Sequence, residues 1–147
     1  MALRDNLEGG ESYFIVEIRS LKRIVGALNG RRPALCFIDE ILRGTNTVER
    51  LAASASLLRY LATQNCLCMA ATHDQELTAM LPKYRQVHFR EELTPAGMTF
   101  SYKMLEGPSD TRNAIALLTQ MDFPKPVLAD AADAVRRYEN TQSWRDG

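Results

Sequence analysis

The chain has 147 residues, 46% hydrophobic and 24% charged, which is enough for one domain with a real core. Lys plus Arg equals Asp plus Glu at 18 each, so no net field draws the chain to nucleic acid. Its apolar stretches fall well short of the roughly 18 residues that span a bilayer, and no signal peptide opens it. A cytoplasmic setting without membrane contact is the expectation.

In chain order, residues 12–28 place Phe14, Ile18, Leu21, Val25 and Leu28 on one helical stripe, with Glu17, Arg19, Lys22 and Arg23 largely off it. Ser12 suits an N-cap and Gly30 a helix stop. Residues 34–38 then form a short apolar run that ends abruptly in Asp39 and Glu40, followed by a polar turn containing Gly44. Such a run reads as a strand buried on both faces of a parallel sheet. A second amphipathic helix is expected over 48–63, carrying Leu51, Ala55, Leu58 and Ala62 inward, and a second buried strand over 66–71. That β-α-β succession implies a parallel pair with a right-handed crossover.

A short helix over 74–81 should stop at Pro82. Residues 86–93 and 98–105 read as a hairpin turning at Thr94-Pro95-Ala96-Gly97, expected on the antiparallel edge of the sheet. Two further helices are expected over 111–121 and 125–140, separated at Phe123-Pro124. Gly107-Pro108-Ser109-Asp110 is the segment expected to be most mobile. Cys36, Cys66 and Cys68 fall within the expected strands, with neither the number nor the spacing of a zinc site or a disulfide framework, so reduced core thiols are expected.

Ligands of open α/β sheets collect at the carboxyl ends of the strands, which is where Asp39 and Glu40 fall. An aspartate there with a neighbouring acid is the Walker B arrangement of nucleotide hydrolases, in which one carboxylate helps hold Mg²⁺ and the other orients water. Taken alone, the pair equally fits a plain strand-to-turn transition with both acids solvated. His73, just after the second strand, would by itself be a capping or packing group, as would His88.

The segment Asp39-Glu40-Ile41-Leu42-Arg43-Gly44-Thr45-Asn46-Thr47 resembles the signature segment of the MutS family of mismatch-repair ATPases. Downstream, Ala71-Thr72-His73-Asp74-Gln75-Glu76-Leu77 is similar to that family's Ala-Thr-His-x-x-Glu-Leu segment. Upstream, Gly10-Glu11-Ser12-Tyr13-Phe14-Ile15-Val16-Glu17-Ile18 resembles its Ser-x-Phe-x-x-Glu helix start. Three motifs in order are far more specific than one, and the resemblance, to the C-terminal ATPase domain, covers residues 6–138.

The resemblance implies an α/β fold: part of a P-loop NTPase domain of the ABC-ATPase type, with parallel strands, crossover helices, an antiparallel edge hairpin and C-terminal helices. The whole of 1–147 is expected to belong to that domain, with the sheet core over about 12–110 and a helical segment over about 111–140. It also implies ATP and Mg²⁺ as cofactors. Asp39 would bind Mg²⁺ through water, Glu40 would polarise the attacking water, and His73 would touch the γ-phosphate or that water. Ser12 would reach the γ-phosphate bound by a second protomer, and Thr45, Asn46 and Thr47 would line the same composite interface.

The phosphate-binding segment G-x-x-x-x-G-K-[ST] is missing from this sequence: Gly9-Gly10 is followed by Glu11-Ser12, and no Gly-Lys pair follows Gly26 or Gly30. In the resembled family that loop lies just upstream, so the chain is expected to be the C-terminal piece of a longer protein. The piece alone is then not expected to bind ATP tightly or turn it over. Arg112-Asn113-Ala114 stands where the family commonly has Ser-Tyr-Gly, which points to a divergent branch. DNA contact would come from domains outside this chain. Two alternatives stay open at this point: a transporter-type or chromosome-maintenance ATPase, and a non-catalytic dimerisation module.

Overall fold

The computed structural model describes residues 13–28, 30, 32–94, 97–111 and 113–144 and divides into two compact units, one ending at Arg85 and one beginning at Gln86. The first unit contains α1 (Tyr13–Ala27), β1 (Ala34–Asp39), α2 (Thr47–Leu61), β2 (Cys66–Ala71) and α3 (Gln75–Met80). The second contains β3 (Val87–Thr94), β4 (Gly97–Glu106), α4 (Ala114–Gln120) and α5 (Lys125–Thr141).

In the first unit, β1 and β2 pair in parallel, with Ala34 opposite Cys66 and Asp39 opposite Ala71. A parallel pair needs a crossover long enough to return the chain to the starting edge, and α2 supplies it. Asn46 caps α2, its side-chain oxygen accepting from the Glu49 amide at 3.0 Å. Ala55, Leu58 and Leu61 face inward from α2 and meet Cys36 and Ile38 of β1, with Leu28, Leu77 and Leu81 completing the core. Each fully buried leucine contributes about 1.5–3 kcal/mol of apolar burial.

Three details of the first unit differ from the sequence reading. The helix stripe buries Glu17 and leaves Ile18 40% exposed, because α1 turns its charged residue onto a backbone amide donor. Ala62 lies past the end of α2 and is exposed, while Ser54 and Leu61 take the inward places. The strands are buried on one face only among the described residues. Leu35, Phe37, Leu67 and Met69 on the other face are 59%, 66%, 65% and 55% exposed. In the second unit, β3 and β4 hydrogen-bond to each other as an antiparallel hairpin.

Within the second unit the antiparallel register runs from Val87 opposite Glu106 to Thr94 opposite Gly97, with an irregularity between Phe89 and Glu91. Gly97, at φ +125°, sits where an L side chain would be strained. The 107–110 segment, expected to be the most mobile connection, carries a hydrogen bond at each end, the one at Asp110 between exposed side chains. The Gly107 amide donates to the Gln86 carbonyl at 2.9 Å, and Arg90 donates to Asp110 at 2.8 Å. Asn113, from the departing Arg112-Asn113-Ala114 segment, donates to Glu91 Oε1 at 3.1 Å, while Arg112 lies outside the described residues. No described helix is long and apolar enough to cross a membrane.

Candidate functional site at the ends of the parallel strands

Parallel strands run in one direction, so β1 and β2 deliver their carboxyl ends to one edge. The Glu40 amide donates to the Ala71 carbonyl at 3.0 Å, carrying the ladder one bond past Asp39. There the chain turns through Glu40 and Leu42, both in the left-handed region at φ 57° and 59°. Non-glycine residues rarely adopt that conformation, and clusters of it mark loops whose geometry is imposed by their surroundings.

The turn aims the Glu40 carboxylate across to the end of β2. Its Oε1 accepts from the His73 amide at 3.1 Å and lies 3.7 Å from His73 Nε2 and 3.6 Å from an Arg43 guanidinium nitrogen. The Glu40 side chain is 11% exposed, whereas the His73 ring is 93% exposed. Glu40 is thus a held carboxylate beside an imidazole that points into solvent. Asp39 is exposed next to it, with no side-chain partner among the described residues. The structure therefore brings Asp39, Glu40 and His73 to one edge.

Thr45, Asn46 and Thr47 lie on the adjoining loop and first turn of α2. The Thr45 hydroxyl donates to Glu49 at 3.3 Å, and Asn46 spends its oxygen on the helix cap, so both have a structural job. Ser12 lies outside the described residues. Among the described residues no group of three or more His, Cys, Asp or Glu side chains is placed to hold a metal ion by protein ligands alone. A single carboxylate supplemented by water and substrate phosphates is nevertheless an ordinary Mg²⁺ environment. Two hollows, about 610 Å³ beside Val16, Arg19, Lys22 and Arg23 and about 420 Å³ beside Arg59, Pro82 and Tyr84, lie at other places than this edge.

Two supporting contacts escaped the sequence reading. Arg50 grips Asp74 with two bonds, Nε to Oδ2 at 2.9 Å and a terminal nitrogen to Oδ1 at 2.6 Å. That pair raises the Arg50 pKa, chiefly through the hydrogen bonds to Asp74, and fixes the residue that follows His73. Glu17, 6% exposed, accepts from the Leu42 amide through Oε1. Both pairs join residues more than twenty positions apart, so no local pattern announces them; the Glu of the Ser-x-Phe-x-x-Glu segment and the Asp after His73 were the only signals.

The cysteines lie along the strands rather than at the site. Cys36 is buried, Cys66 and Cys68 are half-buried, and all three are free thiols. Burial pushes the Cys36 and Cys68 pKa values up.

Residues 1–139 match the family described as MutS domain V. The chain is 30% identical over 128 residues to the DNA mismatch repair protein MutS of Thermus thermophilus, covering 86% of this chain and 16% of that protein. It is 32% identical over 133 residues to the MutS of Natronomonas pharaonis, covering 88% of this chain and 15% of the relative. Against the MutS of Bacillus subtilis it is 28% identical over 141 residues, covering 93% and 16%. The chain thus spans about a sixth of the length of the curated relatives it matches. With the family match running through the strand-end acids and His73 alike, the chain belongs to the MutS domain V family.

Proposed function

We propose that this chain is the C-terminal part of a P-loop ATPase domain which, in a longer MutS-like protein, binds and hydrolyses ATP at a homodimer interface to drive DNA mismatch repair or related DNA handling. The observation that carries the reading is the convergence of Asp39, Glu40 and His73 at the carboxyl ends of a parallel pair, with one Glu40 oxygen facing both the His73 amide and its ring. The relatives are named as DNA mismatch repair proteins, which favours this reading over a transporter-type ATPase.

Each residue then has a chemical task. Glu40, held by the His73 amide, is the carboxylate that orients the attacking water, and its fixed direction is what positioning catalysis requires. His73, exposed beside it, would be the group that meets the γ-phosphate or that water. Asp39 would hold Mg²⁺ through water, and the ion would supply neutralisation of phosphate charge. Asn46 uses its oxygen on the α2 cap, which leaves its amide NH₂ to donate outward from the interface loop with Thr45 and Thr47. Ser12 would complete the partner's site. The apolar face of Leu35, Phe37, Leu67 and Met69 fits a sheet whose covering layer comes from the rest of the domain.

The test uses the longer protein that carries this chain. Glu40→Gln should keep ATP affinity within about threefold, lower turnover by about a hundredfold or more, and accumulate an ATP-bound dimer. Unchanged turnover would remove Glu40 from its role and take the reading with it.

A further inference from the structure

The buried carboxylate of Glu17 has no part in the chemistry above, yet it reaches straight to the site loop. It sits on α1, 6% exposed, and its Oε1 accepts from the Leu42 amide, two residues past Glu40. Its Oε2 has no partner among the described residues. One turn earlier on the same helix, Phe14 packs against Gly44 so closely that a side-chain carbon added there would lie 2.9 Å from Phe14 Cβ. Residues three apart on a helix share a face, so α1 grips the loop at two points, Leu42 and Gly44.

The first of those points is itself part of the unusual backbone of the loop, and the second follows it by two residues. Glu40 and Leu42 are both left-handed, a conformation that L residues keep only when their neighbours impose it. A charged acceptor on a backbone N–H in a buried setting is a strong, directional bond. Without it, the Leu42 amide loses its acceptor and the loop that carries Glu40 loses a tether to α1.

We propose that Glu17, with Phe14, is a positioning residue that couples α1 to Glu40, so that a shift of α1 is passed to the water-orienting carboxylate. The inference rests on the reading of Glu40 given above and deepens it.

The experiment compares Glu17→Ala and Glu17→Gln in the longer protein, reading ATP turnover together with hydrogen exchange of the Leu42 amide. Glutamine retains a side-chain oxygen able to accept from that amide, whereas alanine does not. Expected is exchange faster by about a hundredfold in Glu17→Ala, with kcat down about tenfold or more and KM for ATP within about twofold. Glu17→Gln should restore both readouts to within about threefold of the unaltered protein. Should Glu17→Ala fail to fold, Glu17→Asp, shorter by one methylene, takes its place with the same expectation.

Unchanged kcat in Glu17→Ala, or a glutamine variant as impaired as alanine, would overturn the proposal. So would a Leu42 amide that exchanges freely in the unaltered protein. No ATP turnover by the unaltered protein would instead sink the nucleotide reading, and the exchange measurement would still decide whether the clamp exists.

Discussion

Removing the Arg50–Asp74 pair should loosen the shoulder on which His73 stands, and its cost can be worked from geometry. The pair makes two charge-assisted bonds, 2.9 and 2.6 Å long, with side chains only 22% and 15% exposed. A fully exposed pair contributes about 0.2–1 kcal/mol, whereas breaking a buried one costs about 3–5 kcal/mol. This pair lies between, and its bidentate geometry places it in the middle of that gap. Asp74→Ala should therefore destabilise by about 2 kcal/mol, and a cycle with Arg50→Ala should give a coupling of about 1–1.5 kcal/mol. For a unit of this size each kcal/mol shifts the midpoint by about 4–8 °C, so Asp74→Ala should lower Tm by about 8–16 °C. Thermal and urea unfolding of the four proteins, repeated at about 0.5 M salt, is the assay, because a partly buried pair survives screening. A coupling below about 0.5 kcal/mol, or one abolished by salt, would show the pair to be a solvated surface contact and the argument wrong.

Three further outcomes are expected. Gly44→Ala places a methyl 2.9 Å from Phe14 Cβ, so α1 or the loop must move; a loss of about 1–3 kcal/mol is expected, and an unchanged unfolding midpoint would refute the close approach. Tyr84 donates to the Leu58 carbonyl at 2.7 Å, and burial, assisted by Cys68, pushes its pKa from 10.0 up to about 12. The folded state holds the phenol neutral where the unfolded chain would ionise it. That stability is present below about pH 10 and is lost as pH rises toward about 12. Tyr84→Phe should flatten this alkaline decline while costing about 1 kcal/mol at neutral pH, and an unaltered slope would contradict it. The chain by itself, lacking the G-x-x-x-x-G-K-[ST] cradle, should bind ATP no tighter than millimolar. Micromolar affinity in a titration would show that inference to be mistaken.

Much of the first unit could be read from local pattern. The run over residues 34–38, the α2 stripe through Leu51, Ala55 and Leu58, and the second apolar run at 66–71 specify strand, helix and strand by length and period. Parallel pairing follows from the helix between them, and with it the meeting of Asp39, Glu40 and His73 at one edge. The misses have a common cause. A glutamate on a helix is ordinarily solvated, and Glu17 is buried only because Leu42, 25 positions later, presents an amide to it. The left-handed backbone at Glu40 and Leu42 is likewise imposed by tertiary contacts and leaves no signature in residue type. Burial of β1 on both faces was inferred from an unbroken apolar run. Its outward side chains Leu35 and Phe37 have no cover among the described residues, since cover is a property of neighbours and not of the strand.

The most direct test of the account is a crystal structure of the longer protein with Mg²⁺ and a non-hydrolysable ATP analogue. The account expects the γ-phosphate at the edge where β1 and β2 end, with the ion near Asp39 and both Glu40 and His73 turned to the terminal phosphate. A nucleotide bound elsewhere, with this acidic edge facing bulk solvent or unrelated protein, would contradict it.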